Sequence, residues 1–436
     1  MSAHTLQVLS SGTQVGSVDH ESFDERYSFR YAPQWGRDRA AYSISPHITI
    51  LGPDAASGTV RRFLENLLPE GRALEALATA HRVARNNLYG LIHECGQETS
   101  GALSFSAEEA RDGADGAGRE VTSTELARRI HAYAHHPFSV WDGRVHVLIA
   151  GAQDKLPVYQ DQNGRMYLAG RRLASTHILK PQPSDARLPF LVANEHFCMC
   201  LARRLELAAA PVSILRVPDP ILVVERFDRL RDGQRVRRVH VIDGCQALNL
   251  PVAYKYEHNI AAGRDTAGNR EGVSFERLFS VADYSLNKDL TRLMLLRWAL
   301  FQYLIGNSDA HAKNISFFCE PSGLTLAPHY DLASVAQYPG FRRDLAMAYG
   351  DQFSLDAIGA YDWAGFAART GTPRRLLVRE MRRLGAAAPA ATALQVADPA
   401  YAGQEKDFVA RIGAFVQAQA TRLTDMAEPV LKADLE

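Results

Sequence analysis

Gly306-Asn307-Ser308-Asp309-Ala310-His311-Ala312-Lys313-Asn314 is the stretch on which the reading of this 436-residue chain turns. An apolar run with helical spacing, residues 288–304, leads into it, and a strand-like run, 315–318, leaves it. Inside it an Asp and an Asn stand five residues apart. Phosphoryl transfer needs that pair on one short loop. The carboxylate orients an acceptor hydroxyl and takes its proton, and the amide oxygen binds a metal ion on the phosphates. Taken alone, the segment reads equally well as a polar turn rich in Asn, Ser and Asp.

The surroundings supply further parts. Asp331, in Ala327-Pro328-His329-Tyr330-Asp331-Leu332, sits where a second metal ligand would be, although a single Asp more commonly caps a helix. Upstream, Thr176-His177-Ile178-Leu179-Lys180 puts a lysine at the end of an apolar strand, where a phosphate would satisfy it; an edge-strand lysine reaching water is the plainer alternative. Glu195, on a helical stretch over 189–207, is a candidate partner for Lys180. Before the lysine comes Ala150-Gly151-Ala152-Gln153-Asp154-Lys155. Its single glycine and small neighbours let backbone N–H groups approach a phosphate, a weak signal by itself. Ile221-Leu222-Val223-Val224-Glu225-Arg226-Phe227-Asp228 is an apolar strand that could offer its backbone to an adenine edge. The order is more telling than any one part: phosphate loop, strand lysine, helix glutamate, connecting strand, Asp–Asn loop, metal Asp.

The rest of the chain sorts around these motifs. Strand-like runs at 5–9, 14–18 and 27–31 precede helical spacing at 60–68 and 74–84. Residues 106–120, polar and rich in Gly, Ala and acid, read as a linker. Strands follow at 144–149, 156–160, 166–168 and 176–179, with Asn163-Gly164 as a hairpin turn. Beyond Gln246 the spacing turns helical, at 275–282, 288–304, 374–384 and 404–426; residues 386–400, Ala-rich with Pro389 and Pro399, read as a loop. The expected fold class is α+β: a two-lobed arrangement like that of protein kinases, with an extra N-terminal subdomain over 1–106, a small lobe over 107–230 and an all-α large lobe over 231–436. A ligand cleft between two such bodies is expected.

Composition excludes several classes. Lys plus Arg is 49 and Asp plus Glu is 49, so the net charge is 49 − 49 = 0, which does not suit a nucleic-acid coat protein. Five cysteines with no metal-type spacing fit reduced thiols and a cytoplasmic setting rather than a disulfide framework. Nothing reads as a signal peptide or a membrane span, so no membrane partner is expected.

Taken together, these residues resemble the HipA family of bacterial serine/threonine kinases, the toxins of HipBA-type toxin–antitoxin modules. The likeness runs through nearly the whole length: Arg62-Phe63-Leu64-Glu65-Asn66-Leu67-Leu68-Pro69-Glu70-Gly71-Arg72 and Gly101-Ala102-Leu103-Ser104 early, then Ala150–Lys155, His177–Lys180, Asn194-Glu195, Val224–Arg229, Gly306–Asn314 and Tyr330-Asp331. The resemblance implies that Asp309 is the catalytic aspartate and that Asn314 and Asp331 hold Mg2+. It implies that Lys180 and Ala150, Gly151, Ala152, Gln153, Asp154 and Lys155 hold ATP phosphates, that Glu225, Arg226 and Phe227 form the adenine hinge, and that His311, Lys313, Asn314 and Tyr330 line the nucleotide site. It further implies a protein substrate, an aminoacyl-tRNA synthetase and most typically glutamyl-tRNA synthetase. The implied partner is a HipB-like helix-turn-helix antitoxin, through which the chain meets operator DNA.

One departure stands out. Many family members carry an autophosphorylated serine three residues before the loop glycine; here that position is Leu148, and 144–155 holds no Ser, Thr or Tyr. That switch is expected to be absent or moved. The alternatives are a kinase of this type with another target, or a nucleotide-binding co-repressor acting with its antitoxin on DNA. Arg374, Arg375, Arg379, Arg382 and Arg383 could touch DNA in such a complex, but read more readily as a solvated helix face.

Overall fold

The computed structural model describes residues 3–107, 118–133, 137–145, 153–170, 173–233, 235–258, 270–341 and 344–435. The chain divides into two compact units. One comprises Met1–Pro181, Leu215–Val252 and Ser316–Thr325; the other comprises Gln182–Ile214, Ala253–Ile315 and Leu326–Glu436. No helix among the described residues is long and apolar enough to cross a membrane.

The first unit opens with an antiparallel sheet in the order Arg26–Tyr31, Thr13–Glu21, Ala3–Ser10, Leu103–Ser106. Leu6, Val8 and Ser10 alternate inward along Ala3–Ser10, the period that buries one face of a strand. Ser11 and Gly12, both at positive φ, make the two-residue turn into the next strand. Helices Ser57–Glu65, Gly71–His81 and Leu88–Cys95 accompany this sheet. A second antiparallel sheet places Pro220–Glu225, His177–Pro181, Leu156–Gln160, Met166–Leu168 and Glu120–Val121 side by side in that order. Val158, Leu179 and Ile221 on these strands share a core with Leu126, Phe138 and Trp141. The strand reading of 144–149 lies partly outside the described residues; the described strand there is Arg144–Val145.

The second unit is built on helices Leu191–Arg204, Lys288–Ile305, Ala360–Thr370, Arg374–Val396 and Glu405–Lys432. Its aromatic core gathers Phe275, Trp298, Tyr303, Tyr349, Trp363 and Phe366, with the Tyr349 and Trp363 rings 4.6 Å apart and the Tyr349 hydroxyl donating to the Ala299 carbonyl at 2.6 Å. The stretch 231–436 is mainly helical but also carries strands, among them Val241–Asp243 paired with Ser316–Glu320 and the hairpin Asp344–Tyr349 with Gln352–Ser354. It is therefore α-rich rather than purely helical.

The expected loop over 386–400 is a correction. Helix Arg374–Val396 runs straight through Pro389, and only Pro399 falls beyond its end. A proline inside a helix costs about 3 kcal/mol. The alanines around it are the best helix formers, and Ala388, Ala391, Thr392 and Gln395 are buried, which holds the register. Gln395 also ties the helix end down, accepting from Arg204 Nε at 2.7 Å and donating to the Tyr401 hydroxyl at 2.9 Å.

Candidate active site

The Asp309 loop begins at a helix stop. Helix Lys288–Ile305 ends at Gly306, where φ is +62° and a Cβ would come within 2.7 Å of the Phe415 ring and 2.8 Å of Ala336. Only glycine fits both the left-handed backbone and the space. Asn307 then fastens the turn. Its backbone N–H and its Nδ2 donate to the carbonyl and side-chain oxygens of Gln302 at 3.0 and 2.9 Å, while its Oδ1 accepts from the Asp309 N–H at 3.0 Å.

Asp309 is exposed, whereas Ala310, His311, Ala312, Lys313 and Asn314 are buried. The Asp309 carbonyl accepts from the His311 N–H at 2.8 Å and from Asn314 Nδ2 at 3.0 Å. The five-residue spacing is thus closed by one hydrogen bond. With its nitrogen so engaged, Asn314 has its amide oxygen as the end available to a cation. The Asp309 carboxylate accepts from the Tyr256 hydroxyl. Burial first, then the nearby positive charges of Lys255 and Lys313, push the His311 imidazole down to about 3 against the opposing pull of Asp331. It is neutral at pH 7.

Asp331 is held from both sides. Before it, the His329 N–H donates to the Ala208 carbonyl at 2.7 Å and the His329 carbonyl accepts from the Ala210 N–H at 2.9 Å. The Tyr330 hydroxyl donates to the Lys313 carbonyl at 2.7 Å, bringing this segment onto the Asp309 loop. After it, the buried Asn194 grips Ser334, accepting from its N–H at 2.7 Å and donating to its carbonyl at 3.0 Å. Asp331 itself has φ +56°, the left-handed region that a non-glycine side chain occupies at a cost. One amide oxygen and one carboxylate form a donor set suited to Mg2+, which takes few protein ligands and completes its shell with phosphate and water. The residues present fit that ion.

The other expected site residues belong to the first unit. Lys180 is buried on strand His177–Pro181, opposite Leu222. Glu225 ends the neighbouring strand opposite His177, and the Phe227 ring meets Phe318 edge-on at 5.9 Å. The Arg226 side chain is engaged within the first unit. Its guanidinium donates to Asp228 at 2.9 and 2.7 Å, to Ser175 Oγ at 2.8 Å and to the Thr99 carbonyl at 3.2 Å. These bonds anchor the chain just beyond the strand Pro220–Glu225. Asp154 is likewise engaged with backbone, accepting from the N–H groups of Phe138 and Ser139, and burial raises its carboxyl above the usual range. Gln153 and Lys155 are half-buried. Ala150, Gly151, Ala152 and Leu148 lie outside the described residues. Glu195, the candidate partner of Lys180, is buried in the second unit.

Three residues escaped the sequence reading in these roles: Tyr256, Asn307 and Asn194. An Asn two residues before an Asp in a polar turn is a legible Asx-type signal for Asn307. Tyr256 and Asn194 stand far along the chain from what they touch and carry no local signal. The basic run is largely paired: Arg379 and Arg383 bind Glu380, Arg382 binds Glu428, and Arg374 donates to the Ala433 carbonyl. This bears out the helix-face reading over a bare basic stripe.

Comparison with known proteins agrees with the geometry. The family model for the HipA N-terminal domain matches residues 6–106, and that for the HipA-like C-terminal domain matches residues 147–392. A serine/threonine-protein kinase toxin HipA of Shewanella oneidensis is 37% identical over 89% of this chain and 88% of its own length. A putative kinase, Y4mE, of Sinorhizobium fredii is 30% identical over 88% of this chain and 90% of its own. Among solved structures, HipA from the Shewanella oneidensis complex of HipA, HipB and operator DNA superposes with a TM-score of 0.89 at 34% identity, covering 99% of this chain and 100% of that one.

Proposed function

This chain belongs to the HipA family, and on that premise we propose that it is an ATP-dependent serine/threonine protein kinase and the toxin of a HipB-paired toxin–antitoxin module. The observation that carries the chemistry is the loop in which an exposed Asp309 is tied through its own carbonyl to a buried Asn314. The toxin role is supported by the named activity of the Shewanella relative and by that relative's complex with HipB and operator DNA.

ATP is the phosphoryl donor. Lys180 and the loop 150–155 would offset phosphate charge. Asn314 and Asp331 would hold Mg2+, which supplies charge neutralisation on the phosphate oxygens when bound. Asp309 orients the acceptor serine hydroxyl and accepts its proton as the oxygen attacks the γ-phosphorus and the bond from that phosphorus to the bridging oxygen breaks, releasing ADP. Positioning and preorganised charge account for most of the acceleration. Glu225, Arg226 and Phe227 would border the adenine, and His311, Lys313 and Tyr330 would line the site. The segments 1–106, 107–230 and 231–436 serve as N-terminal subdomain, small lobe and large lobe.

The substrate we propose is an aminoacyl-tRNA synthetase in the cytoplasm, glutamyl-tRNA synthetase first among them, so that phosphorylation stops charging and slows growth. Operator DNA would be reached through the antitoxin. Incubating a cell lysate with γ-labelled ATP and this chain tests the reading. One band should gain label with the unaltered chain and none with Asp309→Asn, while calorimetry shows ATP binding retained by the variant. Transfer by Asp309→Asn would defeat the assignment.

A further inference from the structure

We infer that Tyr256 is a positioning residue for the acceptor step, holding the Asp309 carboxylate in its working orientation. The inference rests on the reading of Asp309 as the acceptor-side aspartate. The phenol O–H donates to Asp309 Oδ1 across 53 residues of chain. Asp309 is exposed on a tight turn, so burial does not choose among its staggered rotamers. A hydrogen bond to an ionised acceptor is among the stronger ones a side chain makes and selects one of those rotamers.

Tyr256 is itself fixed by the loop it serves. Its ring meets His311 edge-on with centroids 5.0 Å apart. The Lys255 ammonium lies 5.2 Å from the ring centroid. The Lys255 carbonyl accepts from the Ala312 N–H at 3.1 Å, stitching this segment to the catalytic turn. Beyond it, the Glu257 N–H donates to the Ala346 carbonyl at 2.9 Å, and the Glu257 carboxylate accepts from the Ala348 N–H at 2.7 Å. The phenol is therefore presented from a segment anchored on both sides. A hydroxyl held so rigidly beside the carboxylate orients it at the moment of attack and has no reason to contribute to nucleotide affinity.

The test compares Tyr256→Phe, which keeps the ring and its contact with His311, with Tyr256→Leu, which removes both. Initial rates are measured on the lysate band that the unaltered chain labels and Asp309→Asn does not, over a series of ATP concentrations. Tyr256→Phe should lower kcat by about 10-fold with KM for ATP and calorimetric ATP affinity within twofold. Tyr256→Leu should lower kcat at least as far. A Tyr256→Phe chain with unaltered kcat overturns the inference and leaves the kinase reading standing. So does a raised kcat, which would make the phenol an occupant that the acceptor must displace. If Asp309→Asn still labels the band, or no band is labelled at all, both readings fall together.

Discussion

Glu98 and Arg229, 131 residues apart in the chain, meet at 3.0 Å with both side chains almost wholly withdrawn from solvent. They are the centre of a larger buried network. Arg238 also binds Glu98, Arg226 and Arg229 both bind Asp228, and Asp228 accepts from the Gly101 N–H at 2.8 Å. Glu98 further accepts from the N–H and hydroxyl of Ser175 at 3.2 and 2.9 Å. The strand carrying Lys180 and the strand ending at Glu225 are thus both moored to residues 98–101.

Breaking that mooring should be severe. Glu98→Ala takes a carboxylate away from three guanidinium groups, those of Arg226, Arg229 and Arg238, a loss of about 3–5 kcal/mol. Burial alone would raise the Glu98 carboxyl, but Arg229, Arg238 and Arg226 outweigh it and hold it below the usual carboxylate range. Its contribution is therefore complete above the unfolded value and fades as pH falls through the lower folded one. Urea unfolding of the full chain at pH 7 should show the midpoint of Glu98→Ala clearly below that of the parent.

A second pH effect has a different window. His240 is buried, its Nε2 bonds to the Ile44 carbonyl at 2.9 Å, and its Nδ1 meets no partner. Burial pushes it from 6.5 down to about 4. The unfolded chain takes up a proton below pH 6.5 that the folded chain refuses, so stability is full above 6.5 and is lost on descending toward 4. At pH 5.5 the loss from this one group is about 1 kcal/mol. His240→Gln should flatten the decline between pH 7.5 and 5.5 by that amount in denaturant titrations.

Asn194 offers a separable effect on the metal side. Its side chain makes four buried hydrogen bonds, two to Ser334, one to the Tyr338 hydroxyl at 3.0 Å and one accepted from the Cys198 thiol at 3.5 Å. Asn194→Ala should destabilise the fold by about 2–3 kcal/mol through the groups left unpaired. By loosening the segment beyond Asp331, it should also raise the Mg2+ concentration needed for half-maximal phosphate transfer several-fold. A magnesium titration of the rate at a temperature where the variant stays folded checks this.

Leu148 makes a prediction about modification. Residues 144–155 contain no hydroxyl side chain. After incubation with ATP and Mg2+, peptide mass analysis should find this segment unphosphorylated. A phosphate on it would contradict the expectation.

The large features were legible because they are local. The Asp309–Asn314 spacing, the apolar helix before it and the alternating strands at the N-terminus each declare themselves within a short window. Helix Arg374–Val396 was misjudged at Pro389 because the packing that overrides the proline comes from elsewhere in the chain. The side-chain partners of Arg226 and Asp154 lie mostly beyond any such window. Those two side chains are claimed by Asp228 and Ser175, and by the backbone of Phe138 and Ser139. No spacing rule announces such partners.

The left-handed backbone at Asp331 has an evolutionary corollary. Glycine adopts that conformation without the penalty of about 1–2 kcal/mol that a Cβ incurs. Asp331→Gly, reached from either Asp codon by one nucleotide change, would remove the proposed metal ligand and a steric burden in the same step. If the chain slows its own host as proposed, silent yet well-folded descendants lie one mutation away.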